Sequence, residues 1–163
     1  MGIVRRLSST LTLYKVAGYP ASYKTATHFR YRAIIGIGGN VGDVKRRFYH
    51  LQLFLKRQQN IAVLHTAPIL QNPPFGYTEQ DDFLNSVIEV GTSMRPRELL
   101  EFLLRVEKRF GRRRSFANAP RTLDLDLIFF DRVKMNTPRL TLPHPHWSER
   151  ESVLIPLQRL GTR

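Results

Sequence analysis

The stretch Leu123–Leu127 reads Leu-Asp-Leu-Asp-Leu and leaves the backbone little choice. Such alternation marks a strand with one buried and one exposed face. Pro120-Arg121-Thr122 leads into it, and Leu127-Ile128-Phe129-Phe130 carries it on. In a strand, residues i and i+2 project on the same side, so Asp124 and Asp126 stand next to each other. Two carboxylates that close oppose each other's ionisation unless a cation sits between them. Mg²⁺ suits such oxygens and takes one or two carboxylates plus substrate phosphates. Arg121 lies just upstream, and the run Arg112-Arg113-Arg114 precedes it. Guanidinium groups match phosphate in a bidentate way. The stretch therefore offers a two-carboxylate metal site beside an arginine cluster, suited to a nucleoside triphosphate. The same spacing also allows an edge strand with a solvated acidic face and a solvated basic loop.

At 163 residues, 42% hydrophobic and with ten Phe, the chain is expected to form one globular domain. Without Cys, neither a disulfide framework nor a thiolate zinc site can form. No apolar run approaches the length of a membrane span. A formal net charge of +13 points to an anionic partner. No acid precedes Asp43, whereas Arg5, Arg6, Lys15, Lys24, Arg30 and Arg32 do. Residues 1–30 are basic, rich in Ser and Thr, and without clear period. They are expected to form a poorly ordered or loosely docked extension, with a transit-peptide composition as one alternative. Residues 31–163 are taken as the domain.

Tyr31–Gly38 reads as a first strand and runs into Gly38-Gly39-Asn40-Val41-Gly42-Asp43. Asp43 suits a helix N-cap, and Val44–Gln58 carries Phe48, Leu51, Phe54 and Leu55 on one face. The glycine-rich turn allows a phosphate-cradling role, but it lacks both the P-loop ending and the dinucleotide fingerprint. Ile61–Leu70 is a second strand. Gln71–Asp82 is a long loop of the kind that contacts ligands. Phe83–Val90 is a third strand. A helix from Pro96 to Phe110 follows, ended by Gly111. After the strand that holds the two aspartates, a short hairpin is expected at Arg132–Met135. Leu140–Trp147 forms a rigid loop, and Ser148 caps a short last helix. This order of elements predicts an α+β, ferredoxin-like fold, an antiparallel sheet with helices on one face.

Several separated segments resemble the 6-hydroxymethyl-7,8-dihydropterin pyrophosphokinases of folate synthesis. They are Ile37-Gly38-Gly39-Asn40-Val41-Gly42-Asp43, Pro73-Pro74-Phe75-Gly76 with Phe83-Leu84-Asn85, and Glu107 through Gly111-Arg112. Pro120-Arg121-Thr122-Leu123-Asp124-Leu125-Asp126 and Leu142-Pro143-His144-Pro145 with Arg150 complete the set. The resemblance spans about Ala33 to Leu157. It implies the ferredoxin-like fold and transfer of pyrophosphate from ATP to the pterin's hydroxymethyl oxygen, leaving AMP. It also implies two Mg²⁺ ions on Asp124 and Asp126, with Arg112 and Arg121 clamping the triphosphate. By position, Glu107, Arg114, Leu127, Arg139, Thr141, His144 and Arg150 correspond to the nucleotide site, Leu127 and Thr141 through main-chain groups. Asn72, Pro73, Phe75, Phe83 and Asn85 correspond to the pterin site. A monomer that binds neither nucleic acid nor membrane is expected, in the cytoplasm, with an organellar address through the N-terminus left open.

The sequence departs from the family at telling places. A Trp commonly precedes the family's Gly-Pro-Arg, whereas this chain has Asn118-Ala119-Pro120-Arg121 in a loop one residue short. That loop closes over substrates in the family, so closure is expected to be looser unless Phe116 compensates. Ser152 stands where a Phe usually stacks on the pterin, so weaker pterin binding is expected, by about 0.5–1.5 kcal/mol beyond area burial. Asn72 for Thr and Gly39 for Ser are milder changes. The competing class is a basic RNA-binding module, since RNA-recognition motifs share the ferredoxin-like fold. It needs exposed aromatics on the central strands, where this chain sets Asp124 and Asp126.

Overall fold

The computed structural model describes residues 2–25, 28–113 and 116–161. Three short strands come first, β1 (Ile3–Arg6), β2 (Thr12–Lys15) and β3 (Ala21–Ser22). Then follow β4 (Tyr31–Gly39), α1 (Val44–Lys56), β5 (Ile61–Thr66), β6 (Ile69–Asn72), β7 (Phe83–Thr92) and α2 (Pro96–Arg109). The chain ends with β8 (Asp124–Phe130), β9 (Met135–Asn136), β10 (Thr141–Leu142), a 3-10 turn at Trp147–Glu149 and α3 (Glu151–Gln158). An eight-stranded sheet runs β1-β2-β6-β7-β4-β8, with β5 also on β7 and β3 on β5. Every pairing in it is antiparallel.

Alternation along β4 sorts its side chains. Ala33, Ile35 and Ile37 join one core with Val44, Phe48, Leu51 and Leu55 of α1 and Leu99, Leu103 and Val106 of α2. Ile34 faces the other way, with Val87, Ile128 and Val153 of α3. So α1 and α2 cover one face and α3 part of the other, where one face alone was expected to carry helices. The Asp43 carboxylate caps α1 by accepting from the Arg46 N–H at 3.1 Å. Gly111, at φ +85°, ends α2 in a left-handed turn that a side chain would disfavour. There the Gly111 N–H donates to Lys108 O and the Arg112 N–H to Glu107 O, the Schellman pattern.

The N-terminal segment departs most from expectation, because β1, β2 and β3 belong to the sheet. β2 pairs with β6, and Leu11 and Leu13 bury against Leu70. Tyr19 is fully buried and donates its hydroxyl proton to Phe48 O at 2.8 Å. These apolar residues are too few and too widely spaced to give a period, but each fills a place that the rest of the fold leaves open.

Smaller corrections follow the same logic. The strand expected over Ile61–Leu70 breaks at Ala67-Pro68, since Pro offers no ladder N–H. The loop therefore begins at residue 73 rather than 71. The hairpin near 132–135 forms instead between β9 and β10. Ser148 lies in the 3-10 turn, and α3 starts from Arg150 with no side-chain cap.

Candidate functional site

Two rows of side chains cross β8, β4 and β7 on the α3 side of the sheet. Gly38 pairs with both Asp124 and Asn85, and Gly36 with both Asp126 and Val87. The aspartates thus share one face, as their alternation predicts. The glycines between them are structural: a Cβ on Gly38 would collide with the Asn85 amide oxygen. α3 packs on β6 and β7, leaving the aspartate end of β8 open.

Two cavities flank that end. One, of 380 Å³, is lined by Asn72, Pro73, Phe75, Phe83 and Asn85 on one side and Glu149, Arg150, Glu151 and Ser152 on the other. The second, of 460 Å³, is lined chiefly by Glu107, Arg112, Asp126, Arg139 and His144. Both are in the size range of small-molecule sites. Asn118, Arg121, Asp124 and Arg150 line both, so the cavities meet at one charged wall.

That wall is an ordered ion cluster. Arg112 donates to Asp124 Oδ1 at 2.6 Å and to Glu107 Oε2 at 2.6 Å. Arg121 donates to Asp124 Oδ2 at 2.8 Å. β8 is an edge strand, and Glu107 Oε2 accepts its outward Leu125 N–H at 2.8 Å. Burial pushes the Glu107 carboxyl upward, although the Leu125 N–H and Arg112 favour its charged form. Among the described residues, the Asp126 carboxylate has no hydrogen-bond or ion-pair partner. Burial, then the charges of Asp124 and Glu107, push its pKa up to about 7. Burial and then the adjacent Arg150 push the His144 imidazole downward, which favours its neutral form.

A family model for 7,8-dihydro-6-hydroxymethylpterin-pyrophosphokinase matches residues 34–162. The chain belongs to this family. It is 40% identical over 141 residues to the 2-amino-4-hydroxy-6-hydroxymethyldihydropteridine pyrophosphokinase of Helicobacter pylori, covering 85% of this chain and 86% of the relative. The protein of the same name from Campylobacter jejuni is 40% identical over 139 residues, 85% of this chain and 88% of the relative. The Bacillus subtilis protein of that name is 37% identical over 128 residues, 78% of this chain and 77% of the relative. This pyrophosphokinase is thus an enzyme of folate synthesis, an ATP-dependent diphosphotransferase. No helix among the described residues is long and apolar enough to cross a membrane.

Most of the residues singled out from the sequence line the two cavities of the pyrophosphokinase. Leu127 does not, because its side chain is buried in the α1–α2 core. Thr141 lies apart, in a shallow groove with Met135 and Pro143. Arg114 falls outside the described residues. Arg139 reaches the second cavity while paired with Glu101 at the surface. In the glycine-rich turn the Asn40 N–H donates to Arg121 O at 2.9 Å, and Gly39 lies tight against Thr122 O, so this part of the turn packs on the arginine loop.

Sequence reasoning singled out Phe116 and Asn118 but missed how Asn40 and Gln80 join the loops. Asn40 donates to Gln80 Oε1 at 2.8 Å and accepts the Arg121 N–H at 2.9 Å. Gln80 donates to Asn118 O at 2.8 Å, bridging loop 73–82 to the arginine loop. Phe116 sets its ring edge-on to Tyr77 at 5.3 Å, so it joins the two loops at their rim. Asn118, read as a departure, takes the left-handed conformation at φ 58°, which Asn tolerates. Polar residues scattered through loops carry no periodic signal, and only their meeting in space marks them.

Proposed function

We propose that this pyrophosphokinase transfers the pyrophosphoryl group of ATP to the hydroxymethyl oxygen of 6-hydroxymethyl-7,8-dihydropterin and depends on Mg²⁺. The observation that carries this reading is the charged wall shared by the two cavities. An amide- and aromatic-lined cavity suits the pterin, a carboxylate- and arginine-lined one suits the triphosphate, and the reacting atoms meet between them. The pterin oxygen bonds to the β-phosphorus, the bond from that phosphorus to the α,β-bridging oxygen breaks, AMP leaves, and the hydroxyl proton is released.

Asp124 and Asp126 fit a Mg²⁺ site. The unpartnered, hard-to-ionise Asp126 beside Asp124 is the charge arrangement that a cation relieves. Two carboxylates, with phosphates completing the shell, match the donor set Mg²⁺ favours, and we assign two ions there. When bound, Mg²⁺ supplies charge neutralisation on the phosphates and polarises the attacking hydroxyl. Arg112 and Arg121, released from Asp124, clamp the triphosphate and stabilise the charge that moves to the leaving AMP. Glu107 holds Arg112 in register, while neutral His144, Arg139 and Arg150 line the nucleotide. Leu127 and Thr141 offer adenine only main-chain groups. Asn85 and Asn72, joined by a 2.6 Å hydrogen bond, address the pterin edge, and Phe83 its ring. Phe75 is exposed under Arg150 at 5.8 Å and supplies a contact at the rim of the cavity with Pro73. The RNA-binding alternative has no support, since Asp124 and Asp126 hold the open face of β8.

The test is product analysis with ATP, Mg²⁺ and the pterin. Pterin-dependent AMP that is lost in both Asp124→Ala and Asp126→Ala supports the reading. ADP as the product would refute the phosphate register, and no turnover by folded protein would refute the function.

A further inference from the structure

The family model matches from residue 34, so β1, β2 and β3 lie ahead of the segment that it covers. β2 nevertheless lies beside β6, the strand that delivers Asn72 and loop 73–82 to the first cavity. On the α1 side, the Tyr14 hydroxyl donates to Gln71 Oε1 at 2.7 Å, and Gln71 Nε2 donates to Asp82 Oδ2 at 3.1 Å. Gln71 lies in β6 just ahead of the loop and Asp82 at the loop's far end, so this chain of bonds closes its base. Lys45 sits over the Tyr14 ring at 3.5 Å and fixes where the hydroxyl points. On the α3 side, Leu11 and Leu13 pack with Leu70 of β6 and Ile155 of α3. Leu70 is two residues from Asn72, and Ile155 is one helical turn beyond Ser152, so the hairpin bears on both walls of the cavity.

We propose that the N-terminal hairpin is a positioning device for the pterin pocket, with Tyr14 acting through Gln71 and Asp82, and Leu13 through Leu70 and Ile155. The proposal rests on reading the first cavity as the pterin pocket. It gives the basic extension a role in substrate affinity. The second cavity is built from α2, β8 and the arginine loop, which the hairpin does not touch, so ATP handling stays independent of it.

Tyr14→Phe removes one hydroxyl and leaves the ring under Lys45, so the protein folds. Binding of 6-hydroxymethylpterin is followed by its fluorescence with a non-hydrolysable ATP analogue present, and steady-state constants are measured for both substrates. The expected result is a rise of about 3- to 10-fold in pterin Kd and KM, the range for one lost hydrogen bond. KM for ATP and kcat stay within about twofold, and Gln71→Leu gives the same rise with no further increase in the double variant. Leu13→Ala, which removes the contact with Leu70 and Ile155, is expected to raise pterin Kd and KM as well, with KM for ATP within about twofold and the melting temperature as the control for folding. An unchanged pterin Kd in Tyr14→Phe, or equal rises in both KM values, overturns the proposal. Wild-type protein that binds no pterin overturns the pocket assignment itself, a result the variants cannot mimic.

Discussion

The two faces of one sheet differ in what covers them. The face under α1 and α2 is sealed by large apolar side chains, with Phe48, Leu51, Leu99 and Leu103 at 1% exposure or less. On the opposite face, Gly36 and Gly38 stand in rows with Asp126, Asp124 and Asn85, and the eight-residue α3 packs chiefly on β6 and β7. One face holds the strands together, and the other is left open where the two cavities meet. The same strands serve both because their side chains alternate. Stability and function can therefore be altered almost independently, one from each face.

The largest expected effect is on the open face. Asp124→Ala removes the group that both arginines hold, and kcat/KM for AMP formation should fall by about 10³-fold or more, with melting temperature as the control for folding. On the sealed face, Phe48→Ala should cost about 3–5 kcal/mol in denaturant unfolding while kcat/KM below the transition stays near wild type. A large loss of kcat/KM there would break the separation of the faces.

Asp126 links the faces through pH. Its native carboxyl keeps its proton to about pH 7, whereas its ordinary value is 3.8. A raised native pKa gives stability that is full below the unfolded value and is lost as pH rises through about 7. Asp126→Asn should therefore stabilise the ligand-free protein at pH 8, on the order of a few kcal/mol, and not at pH 3.5. Urea midpoints at the two pH values measure this; an equal gain at both would mean that the carboxyl is not strained. The smallest effect sharpens the comparison: Gly38→Ala should push Asn85 aside, destabilise by about 1–3 kcal/mol and raise the pterin KM more than the ATP KM.

Much of this was legible in the chain. Leu-Asp-Leu-Asp-Leu set β8 and the shared side of Asp124 and Asp126, because strand geometry is local. Apolar spacing in Val44–Lys56 and Pro96–Arg109 set α1 and α2, and Asp43 and Gly111 marked their ends. The segments that resemble the pyrophosphokinases pointed to most of the residues that line the two cavities. What local pattern could not show is which distant pieces meet. Residues 1–30 look patternless, yet Leu13 and Tyr19 are buried because β6 and α1 offer them surfaces from elsewhere in the chain. Asn40, Gln80 and Asn118 matter through one another, across 38 to 40 residues of sequence. Side-chain alternation and helix caps are dictated by neighbouring residues, so the sequence alone determined them. The sealing of one face, the opening of the other and the docking of β2 on β6 depend on contacts between remote residues, so only the tertiary structure decided them.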